Sequence, residues 1–167
     1  MSNHYPTRSD ETELNLYFTQ ELHGQDEKCG CSMSPSGGLK RRWAFIKSIQ
    51  HMPNRVLLDA GNSLFPWNTH LYSEQKKMGY GFYNLSYNDV FKNYIMKAKN
   101  PPAFIASNLE NLPTNLKTLK FSDIQVGKQK LRIAGLTNRN SRTHEWNGSE
   151  KIKIADPKKV LEEITPQ

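Results

Sequence analysis

Gly37 and Gly38, directly ahead of an apolar-periodic segment that carries Arg41 and Arg42, are the residues of this 167-residue chain best placed to hold an anion. Two glycines at the mouth of a helix let backbone N–H groups turn toward a phosphate or sulfate, and nearby guanidinium groups add charge-assisted hydrogen bonds. Just upstream, Cys29 and Cys31 lie one residue apart in a glycine-bearing loop, too close for ordinary disulfide geometry. No further Cys or His stands at zinc-site spacing. His51, His70 and His144 show no mutual spacing suited to a metal or a relay, and His23 taken alone reads as a loop histidine. No nucleophile elbow accompanies any Ser or Cys, so nothing supports a Ser/His/Asp or Cys/His relay. Two acidic residues have local readings. Asp59 precedes a tight glycine turn and reads as a hydrogen-bonding partner of that turn, and Ser86 with Asp89 forms a capping pattern ahead of Val90.

These residues need elements to position them. Leu14 to Phe18 is a short β-favouring run, followed by a loop from Thr19 to Gly38 rich in Gly, Ser and charge. Leu39, Trp43, Ile46 and Ile49 fall on one helical stripe that ends before Pro53. Val56-Leu57-Leu58 reads as a buried strand, Asn68 to Met78 as a helix, Tyr80 to Leu85 as a third strand, and Ala103 to Ala106 as a fourth. Between the last two, Val90, Phe91, Tyr94, Ile95 and Ala98 predict an amphipathic helix stopped by Pro101-Pro102. Thr118 to Val126 and Lys130 to Thr137 predict a hairpin turning at Gly127-Lys128, and Asp156-Pro157 opens a helix over Lys158 to Ile164. Strands alternating with helices imply an α/β protein with an open, mostly parallel sheet flanked by helices, its loops and its ligands along the C-terminal edge. The expected organisation is a tail over 1–13 and one domain over 14–167, a span that fits a length of this order.

The charge is +7, and its excess is local: Lys117 to Lys159 holds 11 Lys and Arg against 4 Asp and Glu, whereas the remainder balances at 12 against 12. Such a stretch reads either as a solvated basic face or as a surface for nucleic acid or another anionic partner, and no nucleic-acid-binding motif accompanies it. A mean hydropathy of −0.75 leaves no apolar run long enough to span a membrane, and residues 1–13 do not read as a signal peptide.

Four ordered pieces carry a resemblance. They are Phe18-Thr19-Gln20-Glu21-Leu22-His23-Gly24; Cys29-Gly30-Cys31 leading to Gly37-Gly38-Leu39-Lys40-Arg41-Arg42; Leu57-Leu58-Asp59-Ala60-Gly61-Asn62; and Gly79-Tyr80 continuing to Leu85-Ser86-Tyr87-Asn88-Asp89. In this order the set resembles the N-terminal half of calcineurin-like metallophosphoesterases of the 5′-nucleotidase type. Phe104-Ile105-Ala106-Ser107-Asn108 and Asp156-Pro157 extend the resemblance over about residues 14 to 164. That family holds two divalent cations, Mn, Zn or Mg, bridged by a carboxylate, and uses them to activate water and bind phosphate.

The resemblance implies roles position by position. His23 matches a metal-binding His, and Glu21 stands where the family has an Asp ligand. Asn62 stands at the bridging Asp, Tyr87 at an Asn ligand, and Asn88 at the catalytic His. A neutral amide cannot neutralise two adjacent dications, so the expectation is a degenerate module with no bound cofactor, acting in binding or assembly with a protein partner or a second copy. The competing expectations are a residual phosphohydrolase completed by a downstream segment or a second chain, and a nucleic-acid-binding basic region. The resemblance also implies an exported, periplasmic setting.

Overall fold

A computed structural model describes residues 13–20, 22–28, 30, 33, 36–63, 68–85, 102–114, 116–138 and 152–165. Among them, β1 (Asn15–Thr19), α1 (Leu39–Ser48), β2 (Arg55–Asp59), α2 (Thr69–Met78) and β3 (Tyr80–Asn84) follow in strict alternation. Next come the short strands β4 (Phe104–Ile105), β5 (Leu109–Glu110) and β6 (Thr118–Leu119). The chain finishes with β7 (Phe121–Val126), β8 (Gln129–Ala134), β9 (Lys153–Ile154) and α3 (Pro157–Ile164). The main sheet has the order β1-β2-β3-β4-β6 and every neighbouring pair in it is parallel. The α/β class and mostly parallel sheet expected from the sequence are therefore present.

The predicted helical stripe forms α1 for the expected reason: Ile46 and Ile49 are buried, and Leu39 and Trp43 pack against the same core. Helix α2 is defined at both ends. The Asn68 side chain accepts the Leu71 N–H at 2.9 Å, and Gly79 closes the helix in the left-handed region at φ 97°. The two helices are tied by Trp43 Nε1 donating to Glu74 at 2.9 Å. Leu57, Leu71, Leu85 and Phe104 centre the core beneath them. At the far end Asp156 caps α3 by accepting the Lys158 N–H at 2.9 Å, with Pro157 at the first helical position.

Three expectations change. Thr118 to Val126 is not one strand: Thr118–Leu119 joins the main sheet beside β4, and Phe121–Val126 pairs antiparallel with β8. The break is at Lys120, whose carbonyl accepts from Ser107 Oγ at 2.5 Å and whose Nζ donates to the Ser107 carbonyl at 3.0 Å, so the chain is pinned as it passes between sheets. The second hairpin strand ends at Ala134 rather than Thr137. Gly135 leaves the ladder to give its carbonyl to the Ser107 N–H at 2.8 Å. Strands β5 and β9, paired antiparallel, were not anticipated. The helix expected over Val90 to Ala98 and the Ser86/Asp89 cap lie outside the described residues, as do Cys29 and Cys31. No described helix is long and apolar enough to cross a membrane.

Candidate functional site at the C-terminal edge of the sheet

The loops after β1 and β2 meet at the carboxyl edge, where ligands of open parallel sheets bind. His23 N–H donates to the Asn62 carbonyl and Gly24 N–H to the Ser63 carbonyl, both at 2.8 Å. His23 and Asn62 both sit in the left-handed region, at φ 48° and 56°. Such backbone is uncommon for residues with a side chain and is tolerated best by Asn. Thus a backbone bond joins the loops that carry His23 and Asn62. Glu21, Tyr87 and Asn88 lie outside the described residues.

Asp59 is the buried acid at this edge, 3% exposed. Its Oδ1 accepts the Gly61 N–H at 2.9 Å, and its Oδ2 accepts Gln75 Nε2 at 2.8 Å and Thr19 Oγ1 at 2.9 Å. Ser63 adds a further hydrogen bond. Burial pushes the carboxyl above its ordinary range, and the hydrogen bonds from Ser63, Gly61, Gln75 and Thr19 pull part of the way back. The local-turn reading of Asp59 is met and exceeded, because the same carboxylate also joins β1 to α2. It is enclosed by donors.

The described donors do not fit a two-metal centre. Among the described residues no group of three or more His, Cys, Asp or Glu side chains is arranged to hold an ion. His23 and Asn62 together offer an imidazole and a neutral amide, with no carboxylate between them.

Gly37 and Gly38 adopt φ 73° and 86° and line a cavity of about 500 Å³ with Asp26, Glu27, Lys28, Lys40, Arg41 and His70. The glycines have a packing reason: a Cβ on Gly38 would meet the Lys28 backbone nitrogen at 2.9 Å and the Glu27 carbonyl carbon at 3.2 Å. The first helical N–H, that of Leu39, donates to the Asp26 carbonyl at 2.8 Å. The cavity is therefore of mixed sign, lined by Lys28, Lys40 and Arg41 together with Asp26 and Glu27. Part of the basic C-terminal stretch is likewise engaged: Arg132 forms a bidentate pair with Asp123 at 2.7 Å for each bond, and Lys130 joins it at 2.9 Å.

A second polar layer was missed by sequence reasoning. Asn84 Nδ2 donates to the Ala60 carbonyl at 3.0 Å, tying the loop after β2 to β3. Asn108 is fully buried; its amide donates to Thr137 O at 2.8 Å and accepts the Thr137 N–H at 2.8 Å. Thr137 Oγ1 in turn donates to the Leu85 carbonyl at 3.0 Å. The visible signal was the run of small polar residues Ser107-Asn108 at the end of an apolar strand, which marks a strand end that must satisfy its own backbone groups.

A mostly parallel sheet with helices and with loops gathered at its carboxyl edge defines an α/β fold. Among solved structures the chain is similar to Haemophilus influenzae NAD nucleotidase (NadN), with a TM-score of 0.64 and 13% identity over 89% of this chain. The match spans 30% of the nucleotidase chain, so this chain covers less than a third of that protein's length, and at this identity the likeness is one of fold. No family model matches the sequence, and no curated protein matches it.

Proposed function

We propose that this chain is a degenerate metallophosphoesterase-like module that does not hydrolyse phosphate esters and acts in binding or assembly. One observation supports the reading: at the edge where the resemblance calls for a bridging carboxylate, the residue whose backbone carbonyl accepts the His23 N–H is Asn62, an amide. The one buried acid there, Asp59, is enclosed by its own donors. A bridging ligand must compensate two dications at close range, and an amide oxygen supplies no charge for it. The exported or periplasmic setting is proposed on the resemblance alone.

The test is metal content by mass spectrometry of the purified protein, together with turnover of a nucleotide and a generic phosphomonoester in Mn²⁺, Zn²⁺ and Mg²⁺. Near-zero bound metal and no turnover above the uncatalysed rate are expected. Hydrolysis that His23→Ala abolishes would overturn the proposal.

A further inference from the structure

Among the described residues the main sheet ends on two strands with one neighbour each, β6 with two residues and β1 with five. Asn15 N–H donates to the Asn54 carbonyl at 3.2 Å and the Thr19 carbonyl accepts the Ala60 N–H at 2.7 Å, so Asn15, Tyr17 and Thr19 turn their backbone groups toward β2. By alternation, Leu16 and Phe18 turn theirs outward. Their side chains are also the exposed set on this strand, at 48% and 64%. A long edge with open backbone groups and exposed large apolar side chains is a template for another strand.

We propose that β1 is the surface by which two copies of this chain associate, pairing antiparallel about a two-fold axis at Tyr17. This register pairs all five residues of the strand: Tyr17 faces its own copy, Asn15 faces Thr19, and Leu16 faces Phe18. The backbone directions agree with it. Leu16 and Phe18 both point outward, as the two members of a hydrogen-bonded antiparallel pair must, and Tyr17 falls at a non-hydrogen-bonded position. Cross-strand Leu–Phe pairs then cover the exposed side chains on both copies. The interface is isologous, the same patch meeting itself.

Charge selects a second copy over an arbitrary strand. A groove of about 280 Å³ runs beside β1, lined by Leu16 to Thr19 with Arg42, Phe45 and Tyr80. Arg42 Nη1 is buried there with no hydrogen-bond partner among the described residues. The groove thus holds one cation among apolar walls, next to the Thr19 end of the strand. Antiparallel pairing brings the residues preceding β1 of the other copy to that end, and they carry Glu13, which is exposed. The carboxylate then meets the guanidinium, twice, by symmetry. The inference is independent of whether the strand-end loops bind metal, and oligomeric state and metal content fail separately.

Sedimentation over a wide concentration range tests it. The wild-type chain is expected to be a dimer and Phe18→Lys a monomer, while Leu119→Lys on the opposite sheet edge leaves the dimer intact. Glu13→Arg is expected to weaken association, and adding Arg42→Glu to restore it in part. Register is read by Tyr17→Cys in a Cys29→Ser, Cys31→Ser background. A non-hydrogen-bonded pair brings Cα atoms to about 4.5 Å, within the range a disulfide bridges, so mild oxidation yields a covalent dimer. A monomeric wild type, a Phe18→Lys variant that stays dimeric, or a folded dimer that Tyr17→Cys does not crosslink would each overturn the proposal. Should Tyr17→Cys not fold, the Phe18→Lys result decides.

Discussion

Asp59 is the residue at which a structural and a chemical account of the sheet edge give different numbers. In Asp59→Ala the Gly61 N–H and the Gln75 amide lose a buried acceptor, while the Thr19 and Ser63 hydroxyls are able to rotate elsewhere. A buried donor left unmatched costs about 1–3 kcal/mol, so two of them give a loss of roughly 4 kcal/mol, a large share of the ~5–15 kcal/mol that holds a domain of this kind. Asp59→Asn behaves differently. Its Oδ1 still accepts from Gly61, and its new NH₂ confronts Gln75 Nε2 only until the Gln75 amide turns over. Gln75 Oε1 is buried without a partner, so the turn pairs it with the new NH₂ and moves Nε2 to the unpartnered place, leaving one buried polar atom of Gln75 unmatched before and after the change. The expected cost at neutral pH is within about 1 kcal/mol, because the change also removes the desolvation of a buried charge.

The two variants also differ in pH dependence. The folded carboxyl titrates above 3.8, its value in the unfolded chain. Between 3.8 and that raised value the folded state holds the proton and the unfolded state does not, so stability falls as pH rises through the window. Below 3.8 both states are protonated and above the window neither is, so the contribution is flat on both sides. Urea unfolding of the wild type and Asp59→Asn across this range checks it, since their difference cancels every other titrating group. A difference that does not change with pH, or an Asp59→Asn loss as large as that of Asp59→Ala, would refute the reasoning.

Two further outcomes follow from close contacts. Gly135→Ala places a Cβ 2.6 Å from the Ile105 carbonyl oxygen and 3.0 Å from its carbon, and backbone does not yield as a side chain does; a loss of at least about 3 kcal/mol is expected in urea melts, whereas Gly81→Ala, with nothing within 4 Å, stays within about 1 kcal/mol of the wild type. Arg132 stacks on the Phe121 ring at 3.8 Å, grips Asp123 with two bonds and donates to the Ile164 carbonyl, so Arg132→Lys keeps the charge but loses the fork. Faster amide exchange in α3 with unchanged exchange in α2 is the expected reading. The Asp123 carboxyl, held low by Arg132 and Lys130, contributes stability that is present above pH 3.8 and lost as pH falls below it, and Arg132→Lys shrinks that acid loss.

What the sequence disclosed tracks how local the determinants are. The stripe Leu39, Trp43, Ile46, Ile49 and the pair Asn68 and Gly79 specify α1 and α2 within a dozen residues each, and the hairpin turn sits at Gly127-Lys128 as read. The β5–β9 pair was invisible because two residues on each side carry no periodicity; it is held instead by its neighbour Asn108, whose amide reaches Thr137 and the Ala155 carbonyl, while the Ala155 N–H returns to the Asn108 carbonyl. The break at Lys120 was hidden for the same reason: Thr118 to Val126 is uniformly β-favouring, and only a contact with Ser107, 13 residues away, divides it.

The candidate site follows the same logic, because its shape is held by local backbone bonds. His23 and Asn62 hold their left-handed backbone through the paired bonds His23 N–H to Asn62 and Gly24 N–H to Ser63, and the turn beneath them is fixed by Asp59. Asn68 adds a third tie by donating to the Gly24 carbonyl at 2.7 Å. None of these bonds involves a metal or the side chain at position 62, and Asp tolerates the left-handed backbone there much as Asn does, so an aspartate at 62 keeps the loop form. Loop shape and metal chemistry are thereby separable: Asn62→Asp would leave the backbone ties in place and put a carboxylate on the loop bonded to His23. If ligand loss at 62 is what removes metal affinity, that one change raises bound Mn²⁺ or Zn²⁺ in a titration followed by mass spectrometry. No gain over the wild type would place the loss at other positions as well.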